Sequence, residues 1–169
     1  GIPLDVNGPL ISYITLLNTS STSTRMVTAT ITDISGIPTS GIGLPRLYWK
    51  VNAGAWNFVS GVPIGGNQYT FTFGAGVVVG DVVSYYVMAQ DNDTPTPVSS
   101  ANPALGASGY SVNPPALSTP PTSPNAYTIL GSLCGTYNVG AGQTYTTLTA
   151  AIADLNAKEI TCPIIFLLR

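Results

Sequence analysis

At 169 residues the chain is long enough for one ordinary domain, or for a sandwich of about 100 residues with a smaller piece beside it. Hydrophobic residues make up 44% and charged ones only 7%, which argues against wholesale disorder and leaves Ser and Thr to carry the polar surface. The net charge is −2, with Lys and Arg scattered at 25, 46, 50, 158 and 169, so there is no basic patch and nucleic acid is excluded as the expected partner.

Fourteen Pro and eighteen Gly signal many turns, a mixture that suits an all-β extracellular protein better than a cytosolic helical one. No charged and apolar leader follows Gly1, so any secretion signal is expected upstream or already removed. The longest nearly unbroken apolar run, Pro163 to Leu168, is far too short to span a bilayer. A buried strand needs a turn and a partner, and neither follows Leu168, so the chain is expected to be a piece of a longer protein.

Taken in order, Pro9 to Leu17 predicts a first strand after a Gly/Pro-rich leader. Arg25 to Asp33 alternates, with Val27, Ala29 and Ile31 on one face. A turn region rich in Gly and Pro leads to Arg46–Ala53, whose inward set is Leu47, Trp49 and Val51. Asn52 to Ala55 then connects to Trp56–Val59 as a hairpin. Gln68 to Phe73 places Tyr69, Phe71 and Phe73 on one face. Gly80 to Asn92 predicts the central strand, with Val83, Tyr85, Val87 and Ala89 on one face and Ser84, Tyr86, Met88 and Gln90 on the other. A last strand is expected within Gly106 to Val112. Short strands with turns about every 8 to 12 residues are the pattern of a β-sandwich. Trp49 is its natural core aromatic. The other aromatics read as core too, unless Tyr48, Trp56 and Tyr86 form an exposed, coplanar platform for sugars.

The run YWKVNAGAWNFV, then YTFTF, then GDVVSYYVMAQDN resembles the immunoglobulin-like or fibronectin-III-like modules of secreted bacterial proteins. Those modules share an aromatic strand, a Trp-containing hairpin, and a Gly-Asp, Tyr-Tyr-Val strand with an Ala-x-Asp ending. Fibronectin-type strands often carry a corner tyrosine about three residues after the turn glycine. Val83 stands there in this chain, with Tyr85 two residues later, so the resemblance is to the broad superfamily.

From Asn113 the composition turns to Pro, Ser, Thr and Asn, which favours extended polyproline II. Residues 1–112 are thus expected to form the sandwich and 113–126 a linker or a strap along it. Beyond it, Tyr127–Leu133 and Gly135–Val139 read as short strands. Tyr145 to Glu159 carries the chain's helical pattern, with Leu148, Ile152 and Leu155 on one face and Thr144, Thr146 or Thr147 as its cap. The apolar run TCPIIFLL follows, as in a fully buried strand. This strand–helix–strand run resembles the N-terminal cap of a right-handed parallel β-helix, where an atypical terminal repeat seals the solenoid core. More narrowly, GTYNVGAGQTYTTLTAAIADLNAKEITCPIIFLL resembles large secreted Bacteroidetes proteins exported by the type 9 route. That likeness implies that 127–169 begin a β-helix. Such helices serve in polysaccharide lyases and hydrolases and also in adhesins, and it attaches no activity to this chain.

Cys134 and Cys162 flank the helical run. An even count in a secreted protein suggests a disulfide, worth about 3 kcal/mol in the loop-entropy model; two buried thiols are the alternative. With no His and no third Cys, a metal or redox role has no support. Asp91, Asn92 and Asp93 supply closely spaced oxygens and read either as half of a calcium site or as an Asx turn ending the strand. No other cofactor is expected. The lack of His removes Ser-His and Cys-His nucleophile arrangements, and no catalytic residue is assigned.

The expectation is a non-catalytic structural or adhesive segment of a large extracellular or cell-surface protein. Two alternatives stand beside it: the leading part of a polysaccharide-degrading β-helix enzyme, and a self-assembling surface subunit joined through the edges of Ile164–Leu168 and the first strand. The expected partners are other domains of the same chain, surface glycans or further copies of itself.

Overall fold

The structure is a computed structural model and describes residues 5–169. It is mainly β, built as two antiparallel sheets face to face, with a hairpin and a parallel strand pair added. The first sheet has the order β1 (Leu10–Tyr13), β2 (Arg25–Thr32), β6 (Gln68–Phe73), β5 (Val62–Gly65). In the second, β4 (Asn57–Ser60) pairs with β3 (Arg46–Val51), and β3 pairs with β7 (Val82–Gln90).

Period-two alternation sets what faces inward. Val27, Ala29 and Ile31 from β2 and Tyr69, Phe71 and Phe73 from β6 are buried against Val83, Tyr85, Val87 and Ala89 of β7. Each of the larger of these side chains contributes roughly 1.5–3 kcal/mol when removed from water. Trp49 is only partly buried, packed on this core with its ring 6.2 Å from that of Phe73. The first strand is shorter than the apolar run 9–17 suggests, because β1 pairs only where β2 lies beside it, from Leu10↔Thr32 to Tyr13↔Ala29.

The far edge of β7 is shared by two strands. β8 (Ser99–Asn102) pairs with the C-terminal half of β7, from Gln90 to Val87. The chain then leaves, forms the hairpin β9 (Ser108–Ser111) and β10 (Ala116–Thr119), and returns as β11 (Asn125–Thr128). β11 pairs with the other half, from Tyr85 to Val82. The sheet's last edge is therefore 99–102 with 125–128, while the strand expected within 106–112 lies in the hairpin. Residues 113–126, read above as linker or strap, carry β10 and the first residues of β11.

Tyr13 closes this interruption. Its hydroxyl donates to the Asn102 carbonyl at 2.6 Å and accepts from Asn125 Nδ2 at 2.8 Å, so one oxygen holds both ends of the excursion. Burial pushes its pKa well above the ordinary tyrosine value. Tyr13→Phe should destabilise the chain by about 1–3 kcal/mol, since it leaves two partly buried partners unpaired. Hydrogen exchange checks it: amides of β8 and β11 should exchange faster, while those of β2 and β6 stay protected.

β12 (Ser132–Val139) and β13 (Glu159–Leu168) form a parallel pair joined through α1 (Leu148–Ala157). Thr147 caps the helix, its hydroxyl accepting from the Ala150 amide at 3.1 Å. The expected helix stripe is only partly covered: Ala151 is buried, whereas Leu148 and Ile152 are 45% and 46% exposed. The TCPIIFLL strand is likewise not fully buried, with Ile165 at 54% and Leu168 at 70% exposure. The reason is geometric. Two strands and one short helix offer too little surface to bury an apolar strand on both faces.

Two carboxylates hold this unit. Asp154 accepts from Lys158 Nζ at 2.8 Å and from the Tyr145 hydroxyl at 2.6 Å. The Lys158 and then the Tyr145 hydrogen bonds hold its pKa below the carboxylate range, and the same bond pushes the Tyr145 hydroxyl up to about 12. Glu159 accepts from the Ser20 amide, tying β13 to the loop before β2 and lowering its own pKa. Both folded-state values lie below the unfolded ones. Their stabilisation is thus present above the ordinary carboxylate range and lost as pH falls through the depressed values. Acid titration should loosen β12, α1 and β13, and Asp154→Asn should flatten that transition in tyrosine near-UV circular dichroism. An unchanged transition in the variant would place the cause elsewhere.

Candidate cation site and the outer aromatic face

β2 and β7 each end on an aspartate, Asp33 and Asp91, and the segment leading to β1 brings Asp5 to the same place. One carboxylate oxygen from each of the three lies within 4.8 Å of the others. Asp91 is fully buried. Its Oδ1 accepts from the Asp93 amide at 3.0 Å and the Val98 amide at 2.9 Å, the first of these being an Asx turn. Its Oδ2 is buried with no hydrogen-bond partner.

The neighbours are also fixed by local bonds. Asp33 Oδ1 accepts from the Ser35 amide at 2.8 Å, and Asp5 Oδ2 accepts from the Ser35 hydroxyl at 3.2 Å. Asp5 Oδ1 takes the Asn7 amide at 3.1 Å. Desolvation, and then the Asp5 and Asp91 charges, push the Asp33 carboxyl above its ordinary range, against the lowering effect of the Ser35 amide.

No cation among the described residues answers these charges. Arg25 lies over the Tyr127 ring and donates to the Leu17 carbonyl; Arg46 lies over Phe58, and Lys50 over Trp56. Lys158 pairs with Asp154, and Arg169 Nε donates to Asn138 Oδ1.

Of the triplet singled out in the sequence, the structure brings Asp91 into the carboxylate group and leaves Asp93 outside it. Asp93 Oδ1 accepts from the Thr94 amide at 2.9 Å, and its Oδ2 is buried and unpaired. Asn92 is exposed, and its amide donates to the Gly36 carbonyl at 3.0 Å. Asp91, Asn92 and Asp93, with Ser40, Gln90 and Asn113, line an open cleft of about 340 Å³. Asp5 and Asp33 carry no spacing signal relative to Asp91. Only the placing of the β2 and β7 ends at one end of the sandwich unites them.

The aromatic trio takes a different form from a sugar platform. Tyr48 stacks on Tyr86 at 5.2 Å and 10°, but Trp56 meets Tyr86 edge-on at 71°. Tyr86 itself is 1% exposed. The segment after β9 covers this face: Tyr48 donates to the Pro115 carbonyl at 2.9 Å, while Gln90 donates to Asn113 Oδ1 at 3.0 Å and accepts the Asn113 amide at 2.6 Å. Tyr48 and Tyr86 pack between the sheet and its cover, and Trp56 lies partly exposed against the edge of Tyr86.

Cys134 and Cys162 are joined as a disulfide. It sits where the β12–β13 register shifts, between Leu133↔Ile160 and Gly135↔Ile164. Thr161, Cys162 and Pro163 there oppose the single residue Cys134, an irregularity that accommodates a proline in the ladder. No helix among the described residues is long and apolar enough to cross a membrane. No protein-family model matches the chain, and a search of curated proteins found no match.

Proposed function

We propose that the chain is a non-catalytic structural or adhesive segment of a large secreted or cell-surface bacterial protein. In this reading an immunoglobulin-like or fibronectin-III-like sandwich acts as a spacer and leads into the first coil of a parallel β-helix. One observation carries it: the β12–α1–β13 unit is a parallel rung whose outer strand is uncovered. Among the described residues β13 pairs on one side only, with β12, and it exposes Ile160, Ile165, Leu167 and Leu168. Such a surface suits stacking by another parallel coil of the same protein. The strand orders β1-β2-β6-β5 and β4-β3-β7 support the sandwich assignment, and the disulfide suits an oxidising compartment.

Hydrogen exchange of the protein as isolated from its source tests this reading. The β13 amides on the edge away from β12 should be protected there, and should exchange freely in residues 1–169 expressed alone. Equal exchange in both would overturn the reading. Protection that instead appears in residues 1–169 alone, and only as their concentration rises, would replace it with self-assembly.

A further inference from the structure

We propose that Asp5, Asp33 and Asp91 bind a calcium ion at the end of the sandwich. The inference is independent of the scaffold reading, since it concerns only the sandwich and its leading segment. Two observations carry it separately. Three carboxylates converge within 4.8 Å with no Lys or Arg among the described residues to offset them. And Asp91, fully buried, keeps one oxygen without a hydrogen-bond donor among the described residues. A buried carboxylate without a donor or counter-charge is costly, so this is the position where a bound cation contributes most. The two amides on Oδ1 orient the Asp91 carboxylate, leaving Oδ2 for the ion.

The donor set narrows the metal. All three ligands are carboxylate oxygens, with no His or Cys at the site, which selects a hard cation. Oxygens on opposite sides of calcium lie about 4.6–5.2 Å apart and those around magnesium about 4.0–4.2 Å. A spread of up to 4.8 Å falls within the first range and exceeds the second. Calcium's remaining positions take water or main-chain carbonyls, as its loose geometry allows. Bound there, the ion links three segments distant in sequence: the lead into β1, the turn after β2 and the turn after β7.

The test uses residues 1–169 dialysed against EDTA and then titrated with calcium chloride alone, followed by calorimetry and thermal melting. Calcium about a hundredfold above its Kd should raise Tm by about 5–10 °C, and EDTA should reverse the rise. Asp5→Asn, at a half-buried position, and Asp33→Asn should each weaken binding by about tenfold or more, while Asp154→Asn should leave it unchanged. No heat and no Tm shift at millimolar calcium in the parent chain would overturn the proposal. So would a shift that survives Asp5→Asn and Asp33→Asn undiminished, or one that magnesium reproduces at equal concentration.

Discussion

Tyr85→Ala should cost the chain about 3–5 kcal/mol, with a drop in Tm of about 10 °C or more. Tyr85 is fully buried at the middle of β7, where its ring meets Phe73 at 5.2 Å and Tyr13 and Tyr127 at 6.3 Å. Its hydroxyl accepts from the Leu16 amide at 2.8 Å, so the side chain also fixes the chain just after β1. Truncation opens a cavity between three other rings and leaves that amide without a partner; the first term is the larger. Tyr127→Phe is the informative control. Its hydroxyl is buried without a partner, so its removal should cost nothing or stabilise slightly. Urea denaturation followed by Trp fluorescence measures both. A Tyr85→Ala loss below about 1 kcal/mol would mean that the aromatic cluster is not the centre of the core.

The second large effect is expected from the paired Cys134→Ser and Cys162→Ser replacement. The bridge closes a loop of 28 residues in sequence separation, for which the chain-entropy account expects about 3.5 kcal/mol. Its position makes the loss local. β12 and β13 pair in parallel, and the bridge spans the point where their register shifts. Without it, nothing covalent opposes slippage past the Thr161–Pro163 irregularity. Hydrogen exchange should show β12, α1 and β13 opening well before the sandwich, and mild reduction of the parent chain should reproduce the pattern. A uniform loss across both parts would show instead that they unfold as one unit.

The strands most legible in the sequence were those with one buried face. β2, β6 and the inward set of β7 follow period-two alternation, and the structure places Val27, Ala29, Ile31, Tyr69, Phe71 and Phe73 where that rule puts them. The helix was legible for a similar reason, with Thr147 one of three candidate caps, while the pairing around α1 was expected only through the resemblance to a β-helix cap. β8 was not. SSAN has no apolar alternation, and its strand state comes from pairing with the end of β7. The Pro-rich stretch hides β10 and β11 because composition reports the average of a segment, whereas strand pairing depends on the few residues between the prolines. The carboxylate group was visible only through Asp91. Asp5 and Asp33 reach it through sheet topology, which no local pattern encodes.

The split edge of β7 has a consequence for how the module tolerates change. Asn102 and Asn125 sit opposite Val87 and Tyr85, so the excursion starts and ends across a single intervening residue, Tyr86. For the sheet, lengthening such an insertion costs little, about 0.6 kcal/mol for each doubling of its length. Yet its closing turn lies over Tyr86, Met88 and Gln90, all buried. That leaves the C-terminal half of β7 buried on both faces, and it explains why strict alternation of burial fails there. The hairpin is thus exchangeable in topology but not in sequence: a substitute of any length can be joined at Asn102 and Asn125, provided it lays an apolar cover over the same tyrosine.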